Sequence, residues 1–238
     1  MIKIVFYIIL IYFLIGAIAI YKINRKEGLG SAKEKWIKYF MYLIIVSVVV
    51  ISIVFNYFIL VASGILLIGL FEIIKVWKKT PEKNYRFILL ALLFYLLIGF
   101  SFFNYALIKE KNELLFFYTL VFTFDGFAQI TGQLIGKVKP FYKISPNKTL
   151  EGVLGGLLFC ILTSLLLKEY LTFSLIKILI LTVITAIVAL AGDLAASYYK
   201  RLCRVKDYSS MIPGHGGVLD RFDSLLAVGA FYWLTTLI

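Results

Sequence analysis

At 238 residues, 62% of them hydrophobic, and with a mean hydropathy of +0.96, the chain is too apolar to be an ordinary soluble domain, since such domains run about 45–50% apolar. Its formal net charge of +12 comes from 25 Lys+Arg against 13 Asp+Glu. The basic residues lie between apolar runs, which points to membrane topology and attraction to anionic headgroups or a nucleotide rather than to nucleic-acid binding.

The chain therefore reads as an all-α, polytopic integral membrane protein of about eight transmembrane helices. The first span covers about 4–20. Its start, MIKIVFYIIL, has no small-residue cleavage pattern and is expected to be retained rather than cleaved as a signal peptide. The link 21–38 follows with six Lys/Arg. The apolar stretch 39–74 is too long for one helix crossing ~30 Å of hydrocarbon, so two spans turning near Asn56–Tyr57 are expected. Further spans are expected at about 87–108, 114–131, 153–167 and 173–197, and a last one from the end of the basic link to 238. Alternate links 21–38, 75–86, 132–152 and 198–221 hold 6, 5, 4 and 5 Lys/Arg, 20 of the 25. The positive-inside rule puts those links in the cytoplasm, at an inner or plasma membrane, with both termini outside. Residues 1–110 are nearly featureless, and 111–238 carry the chemistry. Cys160 lies in a span and Cys203 in a basic link, which suggests neither a disulfide framework nor a zinc site.

Carboxylates in apolar spans cost several kcal/mol and mark function unless locally paired. Glu72 lies three residues before Lys75 on one helix face, so an interfacial ion pair is expected to explain it. Asp125, in FTFDGFAQITGQ, has no such local partner. Asp193, Ser197 and Lys200 share a face at i, i+4 and i+7. Asp220 and Asp223 open the last span, with Arg221 between them. Gly152, Gly155 and Gly156 form a small-residue stripe suited to close helix packing.

Taken together, these residues suit phosphate handling at a bilayer surface. Mg²⁺ is typically held by one or two carboxylates plus substrate phosphates, and Asp193 and Asp220 are the first candidates to hold it, with Asp223 one turn on. The amides of the loop around Gly214, Gly216 and Gly217 are candidate phosphate donors at a helix start. Lys200, Arg201, Arg204, Lys206 and Arg221 supply cations. Lys148 and Thr149, in the SPNKTLEG segment that begins at Ser145, add another cation and a hydroxyl. His215, the sole histidine, lies between glycines and is read as phosphate-contacting or hydrogen-bonding; a zinc site is not expected. Without a Walker A motif, the set suggests phosphoryl or nucleotidyl transfer to a lipid phosphate.

The run S-x-x-K-R-x4-K-D-x5-P-G-H-G-G-x-x-D-R-x-D at 197–223 resembles the signature of the phosphatidate cytidylyltransferases. Asp125 with Ala128, the Gly132/Gly136 pair, S-P-N-K-T-x-E-G at 145–152 and G-D-L at 192–194 resemble the same family. The motifs cover about 120–238; before that only hydropathy agrees. The resemblance implies the conversion of CTP and phosphatidate to CDP-diacylglycerol and pyrophosphate, with Mg²⁺, at the cytoplasmic face, by a possible homodimer. It implies metal binding by Asp193 and Asp220. It also implies phosphate contacts from Lys148, Lys200, Arg201, Lys206 and Arg221, with Asp125 and Asp207 binding metal or nucleotide or orienting the lysines. The chain departs from the family at Ala196, Gln133 and Gly126, which keeps another lipid phosphate open as substrate. A CTP-dependent lipid kinase and a lipid or ion transporter are the alternatives. Charge gathered at one face argues against transport.

Overall fold

The computed structural model describes residues 1–27, 32–80 and 84–237. It contains α1 (Ile2–Glu27), α2 (Ala32–Val54), α3 (Phe58–Lys78), α4 (Tyr85–Ile108), α5 (Lys111–Ile135), α6 (Leu150–Leu167), α7 (Leu175–Leu202) and α8 (Leu219–Leu234), with a short 3₁₀ turn at Lys168–Tyr170. Among the described residues seven helices, α1 to α7, are long and apolar enough to cross a membrane. The eighth, α8, has 16 residues; at 1.5 Å per residue that is about 24 Å, short of the ~30 Å hydrocarbon thickness. Its first turn is charged, and most of its side chains are buried against protein rather than lipid.

Local chemistry sets the boundaries. The long apolar stretch breaks where expected: Asn56 takes the left-handed conformation, with φ of 62°, which Asn tolerates better than most residues. The Tyr57 amide closes that turn onto the Ser52 carbonyl at 2.7 Å. Asn84, Thr149 and Ser174 cap α4, α6 and α7 by accepting from the amides of Phe87, Gly152 and Lys177, each satisfying a donor the helix leaves orphaned.

The organising element is α5. It is the least apolar of the seven spans, yet it is buried over most of its length, whereas the others are buried over a third or less. Every residue from Leu114 to Phe124 is buried. Its polar groups thus face protein, which is how a span can carry Thr119, Thr123 and Asp125 at tolerable cost. Helix α6 packs tightly along it. A Cβ on Gly152 would approach the Ala128 carbonyl oxygen to 2.6 Å, and one on Gly155 would approach Thr131 Oγ1 to 2.4 Å. The small-residue stripe thus has a packing task, as its spacing suggested.

Candidate active site

The charged ends of α3, α6, α7 and α8 meet at one end of the bundle. Asp125 lies ten residues before the end of α5 and Asp193 nine before the end of α7, each about 14–15 Å back along its helix. The candidate residues are therefore recessed below the helix ends.

Two ion pairs organise them. Lys148, in the link before α6, reaches Asp193 Oδ2 of α7 at 2.5 Å. The Ser197 hydroxyl donates to Asp193 Oδ1 at 3.2 Å, so the expected i, i+4 neighbours do meet. Lys200 turns away from Asp193 and pairs with Asp220 Oδ1 at 2.5 Å. The other oxygen of Asp220 accepts from the amides of Tyr208 and Gly217, both at 2.8 Å. Both oxygens are thus engaged by protein donors. Through these bonds Asp220, one of the two carboxylates first expected to hold metal, also latches the signature loop to α7 and α8.

Part of the glycine loop is engaged as well. The amides around Gly214, Gly216 and Gly217 were expected to stay open to phosphate. That of Gly217 instead donates to Asp220. The loop closes on itself through Ile212 and Gly216, whose bridge has the Ile212 amide on the Gly216 carbonyl at 2.8 Å. Gly216 adopts φ of +84°, which glycine takes without strain.

A different carboxylate explains why residue 217 is glycine. Glu72 of α3 is fully buried. Its Oε1 accepts from the Ser209 hydroxyl at 2.6 Å and the Val218 amide at 3.0 Å, and its Oε2 accepts from the Leu219 amide at 2.8 Å. A Cβ on Gly217 would come within 2.4 Å of Glu72 Oε1. The expected Glu72–Lys75 pair is not found among the described ion pairs; Lys75 lies over the Phe71 ring instead. Glu72 serves as a cap in trans for α8, a carboxylate at the positive end of a helix. Helical spacing pointed to Lys75 because it sees only neighbours on the same helix; the better donors are orphan amides 146 and 147 residues away.

Asp125, Asp193 and Asp223 lie in one electrostatic neighbourhood. Asp223 is opposed by Asp193 and Asp125 and favoured by Lys200 and Arg221. Asp125 interacts with Lys148, Asp193 and Arg221, and its Oδ1 accepts from the Ser224 hydroxyl at 3.3 Å. Ser224 went unremarked in the sequence, although it follows directly on D-R-F-D. The ring of His215 stacks on Tyr42 of α2 at 6.4 Å between centroids. Burial, helped by Arg221 and Lys38 and opposed by the Pro213 backbone, lowers the His215 pKa to about 4. The imidazole is therefore neutral near pH 7, and its Nδ1 is buried without a partner among the described residues, as is Arg221 Nε.

Other expected residues have local tasks or lie further out. Arg201 donates from Nε to the Ile144 carbonyl at 3.1 Å and from a terminal nitrogen to the Val205 carbonyl at 2.9 Å, which ties the link before α6 to the end of α7. Thr149 is buried and committed to its cap. Ser145 is half-buried, and its carbonyl accepts from the Lys148 amide at 3.2 Å. Lys206 and Asp207 are exposed on the signature loop, with Asp207 against Gly216. Cys160 and Cys203 are free and buried.

The chain has relatives among known proteins. The pattern of the cytidylyltransferase family matches residues 1–238. A phosphatidate cytidylyltransferase of Rickettsia typhi is 32% identical over 211 residues, covering 75% of this chain and 91% of that protein. Phosphatidate cytidylyltransferases of Staphylococcus epidermidis and Staphylococcus aureus are 40% and 39% identical over 136 and 137 residues. The chain spans about half the length, 52%, of these staphylococcal relatives. With the match running from end to end, the chain belongs to the cytidylyltransferase family.

Proposed function

We propose that the chain is a CTP-dependent cytidylyltransferase that converts phosphatidate, or a closely related lipid phosphate, to CDP-diacylglycerol and pyrophosphate. One observation carries this most: a cluster of Asp125, Asp193 and Asp223 with Lys148 and Arg221, recessed below the helix ends beside a latched glycine loop. Such a site suits the meeting of a lipid-borne phosphate with a soluble triphosphate. A phosphatidate oxygen attacks the α-phosphorus of CTP, a new P–O bond forms, and the bond from that phosphorus to the bridging oxygen of the β-phosphate breaks. The attacking phosphate is already ionised at neutral pH, so no strong general base is needed. This suits a site whose only histidine is neutral. Positioning and charge neutralisation then supply most of the acceleration.

Lys148 and Arg221 would hold phosphate oxygens, with Lys148 exchanging Asp193 for substrate. Lys200 and Asp220 would hold the loop that frames them. The donor set fits Mg²⁺: Asp193 and Asp223 are mutually repelling oxygen donors in surplus over nearby cations. Mg²⁺ takes one or two carboxylates and completes its shell with water and substrate phosphates. When bound, it would neutralise charge on the departing pyrophosphate. The one-sided distribution of Lys and Arg supports a cytoplasmic site in a multi-pass membrane protein. A homodimer belongs to the same proposal and is tested by sedimentation in detergent.

Purified protein given CTP, phosphatidate and Mg²⁺ should form a CDP-lipid and release pyrophosphate. Formation of a lipid monophosphate with release of CDP would favour a lipid kinase instead. No product with any lipid phosphate would overturn the proposal.

A further inference from the structure

Helices α2 and α3 follow one another through a three-residue turn, yet the space between them is not filled. A cavity of ≈ 270 Å³ is bounded by Ile44, Ile45 and Val48 of α2, by Val61, Gly64, Ile65 and Ile68 of α3, and by Val218 and Phe222 at the start of α8. Every lining residue is apolar or glycine. Gly64 opens onto it, since a Cβ there would meet no atom within 4 Å. Ile44 and Val48 are about half exposed, so the groove opens sideways, toward what would be lipid.

Its position is informative. Val218 and Phe222 flank Asp220 and Arg221 on the first turns of α8, and Val218 donates its amide to Glu72. From Glu72, α3 runs back through Ile68, Ile65, Gly64 and Val61. That is eleven residues, about 16 Å along the axis. One end of the groove thus touches the charged site, and the other lies three residues from the start of α3, near the Asn56 turn at the far end of the bundle. An amphiphile with an anionic head at Arg221 would have its tail directed along this path.

We infer that the groove between α2 and α3 seats an acyl chain of the lipid substrate and admits it laterally from the bilayer. This rests on the cytidylyltransferase proposal for the identity of the headgroup. Ordinary bulk lipid and a second copy of the chain are the other possible occupants, and the tests below separate them.

Two experiments on the full chain in nanodiscs decide it. In the first, a phosphatidate with a photoreactive group near the end of one acyl chain is irradiated with the wild-type protein, and the label is mapped by mass spectrometry. Labelling of Val48, Val61 or Ile65 that unlabelled phosphatidate suppresses, and phosphatidylcholine does not, is the expected result. Equal suppression by both lipids means bulk lipid, and absence of label there leaves the groove to another copy or to nothing; either result overturns the inference. This readout does not require turnover, so it stands apart from failure of the proposed reaction. In the second, Gly64→Phe fills the groove at a position with open space. The ratio of kcat/KM for dioleoyl over dihexanoyl phosphatidate should fall about tenfold or more, because a long chain displaced from the groove loses its packing against α2 and α3 and no longer aligns its phosphate at Arg221. An unchanged ratio would refute the groove. If wild-type protein forms no CDP-lipid from either substrate, the cytidylyltransferase proposal fails, and the labelling result alone decides the groove.

Discussion

Lys200–Asp220 and Lys148–Asp193 are both ion pairs of 2.5 Å, and both join residues at the same end of the bundle. Their surroundings differ. The side chains of Lys200 and Asp220 are 9% and 1% exposed, and both Asp220 oxygens are engaged. Those of Lys148 and Asp193 are 19% and 28% exposed, and Asp193 also faces Asp223 and Asp125. A sealed, fully satisfied pair holds shape; it gains little by exchanging partners, because a lone buried charge is costly. A half-open pair beside surplus carboxylates can release its lysine to a phosphate and its aspartate to a cation. On the proposed function, the signature divides into a latch around Asp220 and a reactive rim around Asp193.

The largest expected stability effect comes from breaking the latch. Asp220→Ala leaves the Lys200 ammonium buried and two amides unpaired, and should cost about 3–5 kcal/mol, read as a large drop in melting temperature in detergent. Removing the cap from α3 should come next. Glu72→Leu leaves the buried Leu219 amide without an acceptor, at about 1–3 kcal/mol, while the half-buried Ser209 hydroxyl and Val218 amide can turn to solvent; Glu72→Gln, which keeps one acceptor oxygen, should lose less. If Glu72→Leu melts like wild type, α8 is not held from α3. At the rim, Asp193→Asn should change stability by no more than about 1 kcal/mol, while product formation falls about 100-fold or more.

The smallest effect concerns His215. Its folded-state pKa of about 4 lies below the ordinary value of 6.5, so the unfolded chain takes up the proton first as pH falls. The stability contribution is full above pH 6.5 and is lost between 6.5 and 4. Melting temperature followed across that window should fall less steeply in His215→Gln than in wild type. Equal slopes would show that another group titrates there.

Much of this was legible in the sequence. Hydropathy gave the helices, and Asn56 gave the break in the long apolar stretch, because a left-handed turn suits that side chain. The glycine stripe of α6 gave its own packing. The roles within the site were less legible, because partners far apart in sequence decide them. Asp193 and Asp220 look alike as isolated acids in apolar helices, and only the fold assigns a half-open lysine to one and a sealed lysine with two amides to the other. Glu72 was misdirected to Lys75 by local spacing for the same reason. The cap of α8 joins the half of the chain without motifs to the half that has them, and no local pattern records that contact.

The division between rim and latch is tested most directly by pairing turnover with stability in Asp193→Asn. CTP labelled at its α-phosphorus, phosphatidate and Mg²⁺ are given to wild-type and variant protein whose melting curves have been recorded. Label should pass into CDP-lipid with the wild type and fail to do so with the variant, at melting temperatures that agree. Full transfer by the variant, or a loss of transfer that merely follows a loss of stability, would contradict it.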